Sequence, residues 1–402
     1  MQYRVYIYLV LFPLLLFFSC SKQQHKESTG LFGECSVIAV KNVTAAGDTV
    51  VVCDVASVKE SMIIPLSKLI DSLEIIRLES IDTAMINPSA IDITENYIGA
   101  NSHFSYKLFT RDGRYLTDIG RRGQGPGEYT FVYDSYIDEE NKLIYLLPWT
   151  SKNIYVYDLK GNFLKNIPLP YLVHKSVLNM DVKRQRISIV QMPFGEGDDP
   201  LAWTQDYEGR VIHETKLKYL DLWPDYSNEI PTQRVDKQGK YIDFSLYACV
   251  PRTDSLYHYD TTNNRCIPRF TTNFLNNEIP RHVYYEFSNY YMVDIIHDNP
   301  YVWIVDDRIL IDKSTLKGGK FKVVIDQLGG IPWREQELEK SIDWSRYDYF
   351  VYCIEPGKLQ LMIEEQLAHK ERIAPEVVSK LIDFNNTISE DDNNYILLGK
   401  WK

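Results

Sequence analysis

The 402-residue chain is short of positive charge: 44 Lys and Arg stand against 55 Asp and Glu, a formal net charge of −11. A surface of that sign repels a phosphate backbone, which excludes nucleic acid as a partner. Cysteine pairs are missing as well. None of the six cysteines forms a C-x-x-C pair, so no zinc ribbon or thioredoxin-type site is written here. With Cys20 set aside, Cys35, Cys53, Cys249, Cys266 and Cys353 are scattered and odd in number. They suffice for two disulfides at most in an oxidising compartment and otherwise serve as small buried hydrophobes. G-x-S-x-G, H-E-x-x-H, G-x-x-x-x-G-K-[ST] and the EF-hand loop are all absent. Each is the local geometry that one reaction or ion demands, so assignment of an enzyme by motif fails. The eight histidines show no metal-ligand spacing on a shared element.

Long apolar runs are confined to one. Val5 to Phe18 follows Arg4 and ends at Ser19-Cys20. Fourteen residues carrying Pro13 are too few to span a bilayer comfortably, and the segment reads as an export signal over residues 1–19. Cys20 stands where a bacterial lipoprotein signal places its modified cysteine. That resemblance implies cleavage before Cys20, acylation of it, and a membrane contact made through the lipid alone. Loss of Arg4 takes the charge from −11 to −12. Residues 21–26, Ser-Lys-Gln-Gln-His-Lys, lack the acidic cluster of a surface-export signal, which points to an outer-membrane anchor facing the periplasm.

What the chain does have is a repeat. Apolar runs flank a turn at Tyr106–Leu116, Ile154–Leu164 and Leu201–Ile212, and the turn glycines Gly113, Gly161 and Gly209 lie 48 residues apart, twice. Looser copies turn at Asn264 and Gly318, with spacings of 55 and 54. Tyr-, Val-, Ile- and Phe-rich runs around Asp-Gly, Lys-Gly, Glu-Gly or Asn-Asn are hairpin signatures. A second strand pair lies upstream of each, as at 89–94 with 97–100 and 131–138 with 142–147. Four short strands per unit of about fifty residues describe a propeller blade, whereas a solenoid would have a shorter period. The fold class expected is an all-β, six-bladed β-propeller. Its closing blade joins 349–354 and 395–400 to an early strand, 73–78, which leaves no free edge. Residues 356–388 interrupt that blade with helical spacing and a helix restart at Pro375. The organisation expected is a signal peptide at 1–19, an anchor linker with N-terminal strands at 20–60, and the propeller at 61–402.

Gly120-Arg-Arg-Gly-Gln-Gly-Pro-Gly-Glu-Tyr129, the run Ile64–Glu79 and the terminus Asp391–Lys402 closely resemble motifs of the six-bladed β-propeller lipoprotein family of Gram-negative gut-type bacteria. Those proteins are distant relatives of NHL-repeat propellers. The resemblance spans about residues 60–402 and implies the fold, with no catalytic residues to carry over. In the Gly-rich motif, backbone amides freed by tight turns can form an anion nest beside Arg121 and Arg122. The structural alternative is a crossover whose arginines are solvated or paired with Glu128.

Propeller topology gathers the outer-to-inner connections and the second-to-third-strand loops on one face, where a ligand sits. The expected loops carry His103, Arg121, Arg122, Trp149, Arg252 and Asp254 as candidate ligand-binding residues, with Asp306 and Asp307 nearby. Aromatic platforms beside charges suit a glycan or a peptide. Glu196, Asp198 and Asp199 form an acidic loop that could take a divalent cation through oxygen ligands. The leading expectation is a lipid-anchored binding module for a glycan, peptide or envelope-protein partner. A metal-assisted lyase or hydrolase with its site in the channel is the alternative, and a structural part of an envelope complex is a third.

Overall fold

The computed structural model describes residues 30–102, 105–194, 199–217, 220–222, 228–233, 239–275, 278–296, 304–333, 345–346 and 348–402. The strands form six small sheets that follow one another around a ring. Blade 1 comprises Pro88–Ile93, Tyr97–Ser102, Tyr106–Thr110 and Tyr115–Ile119. Blade 2 comprises Val132–Asp138, Leu143–Pro148, Ser151–Asp158 and Phe163–Val173, and blade 3 Ser176–Asp181, Arg186–Gln191, Ala202–Asp206 and Val211–Thr215. Blade 4 has Tyr241–Phe244, Leu256–Asp260 and Arg265–Asn273. Residues 228–233 run beside Tyr241–Phe244 in the innermost position: Gln233 N donates to Asp243 Oδ2 at 2.6 Å and Ser245 N to Pro231 O at 3.2 Å. Blade 5 is Arg281–Glu286, Tyr290–Ile296, Val305–Asp312 and Gly318–Ile325.

Blade 6 closes the ring as expected. Ser345–Arg346, Tyr349–Ile354 and Tyr395–Lys400 are completed by Glu74–Arg77, which pairs antiparallel with the last strand from Arg77↔Tyr395 to Glu74↔Leu398. The terminal Asp-Asp-Asn-Asn run is the clasp of this junction. Buried Asn393 accepts Ile86 N at 3.1 Å and donates from Nδ2 to Glu79 O and Ala84 O at 3.0 and 2.8 Å, while Asp392 pairs with Arg77.

Alternation along the strands sends apolar side chains to both sheet faces, so each blade buries its neighbours. One apolar cluster fills every gap. Examples are Ile91, Ile98 and Phe109 against Val351 and Ile396 between blades 1 and 6, and Ile154 and Tyr145 against Leu178 and Trp203 between blades 2 and 3. The turns after the third strands share a device: the carboxylates of Asp158, Asp206, Asp260 and Asp312 each accept two backbone N–H groups of the turn, at 2.7–3.0 Å. The fifth turn differs from expectation. Its left-handed residue is Leu316, at φ 59°, not Gly318. Gly318 is instead needed for packing, because a Cβ there would lie 2.2 Å from Leu310 O.

The N-terminal segment is a strap on the perimeter. Thr49–Asp54 lies parallel to Arg265–Asn273 of blade 4, with Ala39–Val43 antiparallel outside it, and Ser61–Pro65 lies parallel to Gly318–Ile325 of blade 5. Strands from Ala39 onward, in the segment expected to hold the anchor linker and N-terminal strands, thus join the sheets of blades 4 and 5. Between the second and third strands of blade 6 stand two helices, α1 (Pro356–Ala368) and α2 (Pro375–Asn385), each opened by proline at its first position. Their buried Leu359, Ile363 and Leu381 join Leu328, Trp333 and Phe350 over blades 5 and 6. No helix among the described residues is long and apolar enough to cross a membrane.

Closure makes the junction of blades 6 and 1 the most sensitive seam. Ile76→Ala and Ile396→Ala, which empty the same cluster, are each expected to cost about 2–5 kcal/mol, and Asn393→Ala, which strands four backbone groups, at least about 2 kcal/mol. Ile212→Ala, on the exposed outer strand of blade 3, is expected to stay within about 0.5 kcal/mol. Urea midpoints of the four variants check this ranking.

Candidate functional site

The Gly-rich loop leads from the outer strand of blade 1 to the inner strand of blade 2, and its nest is already filled. Glu128 Oε2 accepts Gly125 N at 2.9 Å and its Oε1 takes Arg121 Nε at 2.7 Å, which together with the Gly125 amide hold the carboxyl below its usual range. Gly123 leaves room for this carboxylate, since a Cβ there would meet Glu128 Oε2 at 2.0 Å. A parallel bridge pairs Arg121-Arg122 with Glu128-Tyr129. Tyr129 then locks the two blades, its hydroxyl donating to Ile119 O at 2.6 Å and accepting Tyr106 N at 2.8 Å. Tyr157 Oη adds a bond to Gly127 O at 2.7 Å. The loop is thus a crossover with an internal anion, and the arginines remain exposed on its outside.

Because strands alternate in direction, the outer-to-inner links and the second-to-third-strand loops share one face. Trp149, in such a loop of blade 2, is 38% exposed, and the adjoining Thr150 lies 3.4 Å from His174 Nδ1. Arg252, in the corresponding loop of blade 4, is exposed with its guanidinium 4.7 Å over the Tyr247 ring. Asp254 departs from the expectation of a ligand-facing carboxylate. It is buried and accepts Leu246 N, Tyr247 N and Ser255 N at 2.8, 3.0 and 2.7 Å, which folds the loop from within. Asp306 to Arg308 lie in the third strand of blade 5 and not in a loop: Asp307 pairs with Lys320 at 2.8 Å, and Arg308 stands 3.3 Å from Asp294 and 5.2 Å over the Trp333 ring. His103, Glu196 and Asp198 lie outside the described residues, while Asp199 is described and exposed. Among the described residues no group of three His, Cys, Asp or Glu could hold a metal ion. Cys35, Cys53, Cys249, Cys266 and Cys353 are all free thiols, and burial pushes Cys53, Cys266 and Cys353 up to about 12.

The same face carries a cluster that the loop-by-loop reading missed. Lys175 sits in the two-residue link into blade 3, Tyr133 at the start of the inner strand of blade 2, and Glu229 at the start of the innermost run of blade 4. Glu229 gathers them. Its Oε1 takes Lys175 Nζ at 2.6 Å and its Oε2 the Tyr133 hydroxyl at 2.7 Å, and Lys175 also donates to Asn228 O at 2.8 Å. Lys175 is buried, whereas the Glu229 side chain is 47% exposed. Burial, with Glu229 alongside, lifts the Tyr133 hydroxyl well above its ordinary range, so it acts as a donor. The cluster is a half-exposed carboxylate fixed at the inner end of three blades, with Lys175 next in sequence to His174 and hence on the Trp149 side of the face. Its signal in sequence was faint, because residues 228–233 have no strand pattern and the link after Val173 is only two residues long.

A second buried ionic group lies on the opposite face. Glu286 joins His258 Nε2 at 2.5 Å and Lys313 Nζ at 2.7 Å, and the Tyr241 ring stacks on His258 at 4.0 Å. It ties blade 4 to blade 5.

Six blades, a two-ended closure and a polar inner mouth define this protein as a six-bladed β-propeller. The chain belongs to the family described as a domain of unknown function (DUF4934), which matches residues 49–400. Among solved structures it is similar to a Bacteroides fragilis protein assigned as exported, at 14% identity and a TM-score of 0.57, over 85% of this chain and 99% of that one. A protein of unknown function from Bacteroides caccae matches at 13% identity and a TM-score of 0.39, over 58% of this chain and 82% of that one. No curated protein matches the chain.

The two buried acids titrate in opposite senses. Burial would raise Glu286, but His258 and Lys313 outweigh it and hold the carboxyl at about 2 against an ordinary 4.5; its stabilisation is present above pH 4.5 and lost as pH falls towards 2. Burial raises Asp254 to about 6 from 3.8, against the pull of its three amides; its stabilisation is complete below 3.8 and lost as pH rises through 6. Urea midpoints of Glu286→Gln are therefore expected to fall less steeply than wild type between pH 4.5 and 2. Asp254→Asn should flatten the slope between pH 4 and 6.

Proposed function

We propose that the protein is an envelope-anchored binding module, acylated at Cys20 and presenting the face around Glu229 to a polar ligand, a glycan or a peptide. The observation that carries this reading is the Glu229 carboxylate itself. It is half-exposed, yet fixed by donors from two other blades, and such preorganisation lowers the ordering cost of binding. A ligand hydroxyl or amine can donate to the lone pairs that Tyr133 and Lys175 leave open, while Trp149 offers a ring for an apolar sugar face or a side chain. Arg252 supplies a cation for a carboxylate. The export signal read at residues 1–19 and the similarity to a protein assigned as exported agree with an envelope location. An envelope protein presenting a peptide segment is a partner of the same chemistry. A divalent cation at Asp199 and its acidic neighbours, and a metal-assisted lyase or hydrolase built on it, form the alternative.

Thermal unfolding of the purified protein against oligosaccharides, peptides and divalent cations tests the reading, since a ligand that binds only the folded state raises the midpoint. The expected result is a midpoint rise with an oligosaccharide or peptide that Glu229→Gln and Trp149→Ala each reduce by half or more. A rise that Glu229→Gln leaves intact would move the site elsewhere, and one abolished by chelator would transfer the case to the metal reading.

A further inference from the structure

The exposed apolar side chains of the strap collect on one stretch of the perimeter. Val43 is 72% exposed, Ile63 68%, Val37 56% and Val40 55%. Val40 and Val43 lie on the outermost strand of blade 4, Val37 bridges to Lys317 of blade 5, and Ile63 lies on the outermost strand of blade 5 in register with Lys322. The four therefore share the rim of two adjacent blades. Exposed Lys41 stands among them. Of the carboxylates nearby, Asp48 pairs with Arg265 at 2.7 Å and Asp307 with Lys320 at 2.8 Å, Glu60 accepts the Ser36 hydroxyl at 2.7 Å, and Glu34 is exposed.

Where the chain enters this rim decides the occupant. Cys20 precedes Gly30, the first described residue, by ten positions, a reach of at most about 35 Å. A lipid on Cys20 would keep the rim of blades 4 and 5 within touching distance of a bilayer, where tethering raises the effective concentration of even a weak contact. Branched apolar side chains beside Lys41 fit the boundary between acyl chains and headgroups.

We infer that the rim formed by Val37, Val40, Val43 and Ile63 docks on the phospholipid surface, so that the disk stands on its edge with the Glu229 face turned sideways to the membrane. The inference rests on acylation at Cys20.

Full-length protein made in a Gram-negative host, with the photo-crosslinker p-benzoylphenylalanine placed at Val43, Ile63 or Ile212, separates the two claims. Ile212 is 43% exposed on the outer strand of blade 3 and serves as the reference. Lipid adducts several-fold more abundant at positions 43 and 63 than at 212 are the expected result, and Val40→Glu with Val43→Glu should lower those from position 63 several-fold while the protein stays with the membranes. Equal labelling at all three positions, or adducts to a second copy of the chain, in protein that sediments with membranes would overturn the docking and leave the anchor standing. Protein recovered in the soluble fraction would overturn both.

Discussion

Everything in this molecule depends on four residue pairs between Glu74–Arg77 and Tyr395–Leu398. Without them the last blade would present a bare edge, and the apolar faces of Ile91 and Ile98 on one side and Val351 and Ile396 on the other would both meet water. A ring of blades has no other place to put that cost, because each blade buries its two neighbours and none has a core of its own. Asn393 and Asp392 make the junction specific as well as apolar, reaching across more than three hundred residues of sequence to Ile86 and Arg77.

Rigidity of the ring is what gives the inner mouth its chemistry. Tyr133, Lys175 and Glu229 belong to three blades and meet only because the cores between those blades fix their spacing. A carboxylate held by two donors on separate sheets cannot relax by moving one loop. The buried His258–Glu286–Lys313 group and the Tyr129 lock act the same way at other seams, so polar contacts between blades confer register where apolar packing alone would allow sliding.

The architecture was readable because its signal is repeated: turn residues at Gly113, Gly161 and Gly209 recur at one period, and the closing strand near Leu73–Leu78 follows from counting blades. The helices at 356–385 showed through their spacing and Pro375. The site was less legible. Loop position could suggest Trp149 and Arg252, yet it could not distinguish Asp254, whose carboxylate turns inward to three amides, from a residue facing outward. Nor could it find Glu229, whose importance comes from partners 54 and 96 positions away. The partners of the N-terminal strands were hidden for a related reason, since parallel pairing to blades 4 and 5 leaves no local turn signal. Charge in the Gly-rich loop was visible, but its internal neutralisation by Glu128 depends on the path of the backbone.

The closing strand has a consequence in time. Residues 395–400 are made more than three hundred positions after Glu74–Arg77, with which they pair, so the ring cannot shut until they have emerged. Blades can form in order, but the core between the first and sixth blades stays open until that strand arrives, and a chain cut short before it keeps an unpaired edge and two bare apolar faces. Arrival of that strand is thereby converted into a physical state of the molecule: only a chain that includes it loses its adhesive surfaces, and every chain truncated before it carries the exposed features that proteases and chaperones bind.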